Sequence, residues 1–351
     1  MRKIVPTERL AVLATLLILL LFVTLSPQRR KDFLNSNVLA QTRERKISNP
    51  TLEVVKVDVD LVTVDALVLQ KDTARVVGDL KREDFQILED GKPQEITHFS
   101  QNSLPLSVLL MIDRGGCLDA YSWEVRNAAI QAVARLKPTD EVAVMSYHND
   151  TELLQEFTRD RSKVARALNR VPPHDEAANH CINKAFFDAA NYMESAGNPV
   201  GRRVVIFITG VTRNFDCDNA PGAKTVTHAI YESGSVVCGL VPVTPEQKME
   251  NGAMRWATRM GGMFKLSTMN IKQIADDTGG EVLSDKPEIL DQTFVTLMEH
   301  LRSRFSLAYV SSNKARDGSL RKLKIDLTPD ALKTRGKLVV KSRRSYVAPR
   351  S

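Results

Sequence analysis

The chain has 351 residues, of which 43% are apolar and 26% charged. These shares belong to a protein that folds in water, and they exclude a disordered, collagen-like or multi-span membrane chain. Its length exceeds one ordinary domain and predicts two domains, or one large one with attachments. The net charge of +7 is unevenly spread, with nine basic residues against three acidic ones in 1–48, fourteen against three in 301–351, and an acidic body between. A basic tail beside an acidic body is accounted for by attraction within one fold. No basic cluster is interleaved with aromatics, so the charge does not make a nucleic-acid site.

At the N-terminus Arg2, Lys3 and Arg9 precede a charge-free apolar run, Leu10 to Val23, ended by Ser26-Pro27. A basic flank followed by such a run is an export signal or a membrane anchor. The run is somewhat short for a full span of about 20 residues. Cleavage after Ala40 satisfies the small-residue rule but lies far from the apolar run, which favours an uncleaved anchor, with a periplasmic or secreted form as the alternative. Residues 1–27 are read accordingly, and 28–51, polar and charged with "RRK" and "RERK", as a linker.

Residues 52–102 read as a small antiparallel β-unit. "LEVVKVDVDLVTVDALVL" alternates Val with Asp and Thr as one long strand or two short ones, and Asp90-Gly91 stands between two alternating runs as a hairpin turn. From Pro105 the texture changes. "LSVLLMID", "EVAVMSYH", "RRVVIFITG" and "SVVCGLVPV" are apolar on both faces, and they are separated by helical patterns in "AYSWEVRNAAIQAVARL", "SKVARALNRV" and "NKAFFDAANYMES". That alternation predicts an α/β fold over 103–304, a doubly wound and mostly parallel sheet with ligands expected at the carboxyl ends of its strands. "IKQIADDTGGEVL" reads as a helix closed by Gly279-Gly280, and "PEILDQTFVTLMEHLRSRF" as a long amphipathic helix. Residues 305–351 return to strands with one apolar face, Leu323, Ile325 and Leu327 opposite Lys322, Lys324 and Asp326. These strands need a partner sheet, as does the N-terminal β-unit, so the two are expected to pair, with the α/β domain inserted between them.

The ordered set "PLSVLLMID", "NKAFFDAA", "RRVVIFITG", "IADDTGGEVL" and "LRSRFSLAYV" resembles the von Willebrand factor A domain. With "REDFQILEDGKPQEITHFS" before it, the chain is similar to the VWFA-related family of bacterial exported proteins over about residues 52–348. The resemblance implies a metal-ion-dependent adhesion site at the carboxyl end of the sheet. That site is made of an Asp-x-Ser-x-Ser loop, a Thr from a second loop and an Asp after the fourth strand, oxygen ligands that suit Mg²⁺. Mapped onto this sequence, Asp113 is kept. Gly115 and Cys117 stand where two hydroxyls belong, Lys184 where the Thr belongs, and Gly210 where the second Asp belongs. One ligand of the set survives, so the site reads as degenerate and metal-free, with no cofactor. Lys184 is expected to supply the positive charge facing Asp113 that the ion no longer provides.

Cys117, His180, Cys181, Asp216, Cys217 and Asp218 fall in loops near the same rim, but their spacing matches no compact zinc pattern. In an exported chain a disulfide between Cys181 and Cys217 explains two of them, with ordinary apolar packing as the alternative. The sequence has no Gly-x-Ser-x-Gly, P-loop, His-Glu-x-x-His or dinucleotide fingerprint. A Cys117 nucleophile with His148 or His180 has only proximity behind it, so the chain reads as no enzyme. What remains is a protein-binding module with a partner in the envelope or outside the cell, or alternatively an envelope assembly protein in which the α/β domain is scaffold.

Overall fold

The computed structural model describes residues 61–351 except 102–103, 174–178, 199–200, 216, 218–219, 244–248, 250–251, 254–255, 258, 261–267 and 351. The apolar run, the linker and the start of the first predicted strand lie outside them. Among the described residues no helix is long and apolar enough to cross a membrane.

Strands β1 (Leu61–Gln70), β2 (Phe85–Glu89), β3 (Lys92–Gln94) and β4 (Ile96–Ser100) precede the α/β domain. Asp90 and Gly91, with φ of 48° and 82°, close the β2–β3 hairpin. Two consecutive left-handed residues make the turn whose twist matches paired strands, and Asp and Gly are the residues that tolerate it. The sheet of the domain then follows in the order β12 (Val282–Asp285), β10 (Val236–Pro242), β8 (Arg202–Ile208), β5 (Leu106–Asp113), β6 (Glu141–Tyr147) and β7 (Thr151–Thr158). All its neighbours pair in parallel except β7, which runs antiparallel at the edge, and β9 (Arg213–Phe215) and β11 (Thr268–Asn270) form a separate antiparallel pair.

Every residue of β5 is buried, because the two faces of the sheet carry separate cores. Val108, Leu110 and Ile112 point to one, against helices α1 (Ser122–Ala134), α2 (Arg161–Asn169) and α6 (Leu290–Arg302). Leu109 and Met111 point to the other, against α3 (Ile182–Tyr192), α4 (Ala223–Ser233) and α5 (Ile271–Thr278). This period of two with both faces covered is why the strands read as unbroken apolar runs. Helix α5 ends at Gly279, whose N–H bonds to the Ala275 carbonyl.

After α6 come β13 (Phe305–Val310), β14 (Leu320–Leu327), a helix α7 (Pro329–Arg335), β15 (Leu338–Ser342) and β16 (Ser345–Val347). They complete two four-stranded sheets, β15-β1-β13-β4 and β16-β14-β2-β3. Both sheets feed one core in which Val64 and Val68 meet Phe85, Phe305, Leu307, Leu323 and Ile325. The flanking β-unit is thus built from both ends of the chain, with the α/β domain inserted. The stretch "GKLVVKSRRSYV", 336–347, which reads as one strand, holds two, β15 and β16, which join different sheets. Arg202 at the start of β8 ties the two parts together, since its guanidinium donates to both Asp65 oxygens of β1 at 2.6 and 2.9 Å and to the Leu301 carbonyl of α6 at 2.6 Å.

Candidate binding rim

The parallel register decides what surrounds Asp113. As the last residue of β5 it pairs with Tyr147 at the end of β6, and Ile112 beside it pairs with Ile208 at the end of β8. Thr209 therefore follows directly at Asp113's flank. The Asp113 side chain has no solvent exposure. Its carboxylate accepts hydrogen bonds from the Gly115 N–H at 2.8 Å, the Tyr147 hydroxyl at 3.1 Å, the Thr209 hydroxyl, and His180 Nδ1 at 2.9 and 3.0 Å. His180 Nδ1 must carry the proton of that contact, because both atoms it faces are carboxylate oxygens. Burial pushes the Asp113 carboxyl up, but the His180 hydrogen bond and charge, helped by Thr209 and Gly115, outweigh it and hold the group below its ordinary value. Burial, and then the negative charge of Asp113, push the Cys117 thiol and the Tyr147 hydroxyl well up.

His180 reaches Asp113 from the loop just before α3. Cys181 N donates to the His148 carbonyl at 2.9 Å, and Asn179 N to Asn149 Oδ1 at 2.9 Å. On the other side Cys181 is disulfide-bonded to Cys217, with 5.6 Å between Cα atoms. Asn183 exchanges hydrogen bonds with the Cys217 backbone at 3.1 and 3.3 Å, which fixes the same two segments a second time. The imidazole then lies in space that a side chain at residue 115 would need, because a Cβ on Gly115 would come within 2.4 Å of its ring. The glycine standing where the adhesion motif has serine is what admits the histidine.

Cys117 Sγ accepts the Gly210 N–H at 3.2 Å and lies 3.9 Å from Thr209 Oγ1. The rim thus brings together Asp113, Gly115, Cys117, His180, Thr209 and Gly210. Lys184 does not face Asp113, which corrects the expectation that it replaces the ion. Its Nζ lies 3.1 Å from Asp188 and 3.7 Å from Asp150. Residue 184 is in the first turn of α3, and a helical side chain meets the residue four positions on rather than a neighbour beyond the helix end. His180 is the side chain that meets Asp113 instead. The sequence offers His180 as a rim-loop residue and as a base beside Cys117, but nothing local marks it, Tyr147 or Thr209 as a partner of Asp113.

Mg²⁺ requires a near-octahedral shell of oxygens. The Asp113 carboxylate is present, but Gly115, Cys117, Lys184 and Gly210 contribute no oxygen, and the Thr209 hydroxyl is spent on Asp113. These residues do not fit that ion.

Residues 108–212 match the family model of the von Willebrand factor type A domain. The chain contains a von Willebrand factor type A domain. No curated protein matches the sequence. Among solved structures, the A domain protein from Catenulispora acidiphila is 10% identical at a TM-score of 0.43, covering 84% of this chain and 74% of its own. The conserved hypothetical protein BatB from Bacteroides thetaiotaomicron is 17% identical at 0.38, covering 56% and 98%. The A domain of the type V pili tip protein Mfa5 from Porphyromonas gingivalis is 16% identical at 0.29, covering 34% of this chain and 43% of that one. The chain thus spans less than half the length of the Mfa5 chain it matches.

Proposed function

We propose that this chain is an exported or membrane-anchored, non-catalytic module that binds a protein partner through the rim of its A domain, without a bridging Mg²⁺. The observation that carries the reading is the protein's own shell around Asp113, whose carboxylate is engaged by donors from four segments of the chain. Beside it, between α1 and residues 168–173, lies a cleft of about 390 Å³ lined by Asp113, Arg114, Leu118, Asp119, Val125 and Pro172. A cleft of this size with an apolar wall and a few charges suits a partner's side chain. The signal-like N-terminus supports display outside the cytoplasm.

The exposed Lys322, Lys324 and Arg344, which border one groove of the flanking β-unit, favour the second reading, an assembly protein whose contacts lie there. Affinity capture from an envelope extract separates the two. Alanine at Asp119, Asp150 and Lys184 should abolish capture of a specific partner while charge reversal at Lys322, Lys324 and Arg344 leaves it intact. The opposite pattern overturns rim recognition.

A further inference from the structure

Unsuited to magnesium, the rim holds a different donor set. Asp113, Cys117 and His180 each offer one donor atom, a carboxylate oxygen, a thiol sulfur and an imidazole nitrogen, and all three lie within 4.8 Å of one another. From these residues we infer that the rim binds a borderline divalent transition-metal ion of the Zn²⁺ class through Asp113, Cys117 and His180, with a fourth position open to water or to a partner's donor. This departs from the metal-free reading of the sequence, which sets zinc aside on spacing along the chain, whereas the fold brings the three donors together. It shares with the proposed function only the location of the rim.

Ligand chemistry gives the first argument. Each residue that replaces an oxygen ligand of the magnesium site at this point is one that Mg²⁺ refuses or one that admits a softer donor. Cys117 brings sulfur where a hydroxyl belongs, and Gly115 vacates the space that the His180 ring fills. Thiolate and imidazole are donors that select zinc-like ions over magnesium. Geometry gives the second. Metal–ligand bonds of about 2.0–2.3 Å in a tetrahedron put donors about 3.3–3.8 Å apart. The present separations need to close by no more than about 1 Å at the widest, while the 2.9 Å contact between His180 Nδ1 and Asp113 opens slightly. The proton now shared by those two atoms and the incoming ion are alternatives in one place. On binding, that proton leaves Nδ1 and the Cys117 thiol loses its own, so protons go to solvent as the two metal bonds form.

The supporting groups are already placed. The Gly210 N–H that meets Cys117 Sγ at 3.2 Å stabilises a thiolate, and the Tyr147 and Thr209 hydroxyls orient the carboxylate. Cys181 and Cys217 are held in their disulfide and do not compete as ligands. A pre-formed outer shell around three convergent donors is the arrangement of a metal centre that completes its tetrahedron with an exogenous ligand.

The test uses the full chain in detergent without reductant, so that the disulfide stays closed, and Co²⁺ and Zn²⁺ alone as probes. Co²⁺ should give a thiolate-to-metal charge-transfer band in the near ultraviolet, displaced by one equivalent of Zn²⁺ and not by Mg²⁺. Cys117→Ser should abolish the band and weaken Zn²⁺ binding at least a hundredfold, more than loss of an outer-shell group does. His180→Gln should weaken binding similarly while leaving the circular dichroism unchanged, and Cys238→Ala, at the other thiol, should leave the band in place. No band with the wild-type chain, or a band that survives Cys117→Ser and vanishes with Cys238→Ala, overturns the assignment. These outcomes are read without any partner, so they are independent of whether the rim captures one.

Discussion

Removing the His180 imidazole tests the view that this ring, rather than a metal or Lys184, balances the Asp113 charge. His180→Ala leaves a carboxylate with no solvent exposure and without the imidazole that meets both its oxygens. Breaking a buried charged pair from one side typically costs about 3–5 kcal/mol. Two features reduce that here. Asp113 keeps the Gly115, Tyr147 and Thr209 donors, and the His180 side chain is 15% exposed, so water can enter the vacated space. The expected loss is then about 2–3 kcal/mol, the scale of one buried charged group left short of a hydrogen bond. At roughly 2–4 °C per kcal/mol, the melting temperature should fall by about 4–12 °C. Thermal melts of the full chain in chelator, followed by far-ultraviolet circular dichroism, read this directly. Gly115→Ala provides the matching half of a double-mutant cycle, because its Cβ would collide with the His180 ring. It should destabilise the wild type and cost little once residue 180 is alanine, giving a coupling of about 1 kcal/mol or more. A melting temperature for His180→Ala within about 1 °C of wild type, or additive effects of the two changes, would refute the reasoning.

Other outcomes follow from the same contacts. Burial pushes the Asp65 carboxyl up, but the Arg202 guanidinium outweighs it and holds the group below its ordinary value. Its stabilisation is therefore complete above the ordinary carboxylate range and lost as the pH falls through the lowered value. Asp65→Asn should lower the melting temperature at neutral pH, and the gap to wild type should close below about pH 4. A gap that widens in acid contradicts this sign. Truncation after Arg304 removes β13, the partner of β1 and β4, together with β14, the partner of β2. Limited proteolysis should then cut residues 61–101 rapidly, and an unchanged digestion pattern would count against the pairing. Reducing the Cys181–Cys217 disulfide removes one of the two ties between the His180 loop and the Cys217 segment, leaving the Asn183 hydrogen bonds. Hydrogen exchange should rise in residues 179–183 and 217 more than in β5, and equal protection before and after reduction would show the tie to be idle.

The layered fold was legible because its signals are local. The β5 stretch is apolar on both faces, Asp90-Gly91 dictates a turn, and the alternation of Leu323, Ile325 and Leu327 with Lys322 and Lys324 survives as buried and exposed faces of β14. Two elements left no such trace. The edge strand β7, "TELLQEFT", has no fully buried residue and so no period to read, and the seven residues of α7 are too few to establish one. That Gly115, Cys117 and Gly210 stand where the resemblance expects oxygen ligands could be read by aligning one loop at a time. What fills the site could not, since His180 meets Asp113 across 67 residues and Thr209 across 96. Those contacts depend on strand register and on where α3 begins. Lys184 misled for the same reason: a position equivalent along the chain points elsewhere once the helix fixes its direction.

Isothermal titration of the full chain with Mg²⁺, Mn²⁺ and Ca²⁺ bears most directly on the claim that this A domain keeps the rim and has lost its hard-ion site. With Asp113 engaged by Gly115, Tyr147, Thr209 and His180, no saturable heat should appear for any of the three up to millimolar concentration, and His180→Ala should not create one, because Cys117 and Gly210 still contribute no oxygen. Stoichiometric binding of any of these ions to the wild-type chain, abolished by Asp113→Ala, would contradict it.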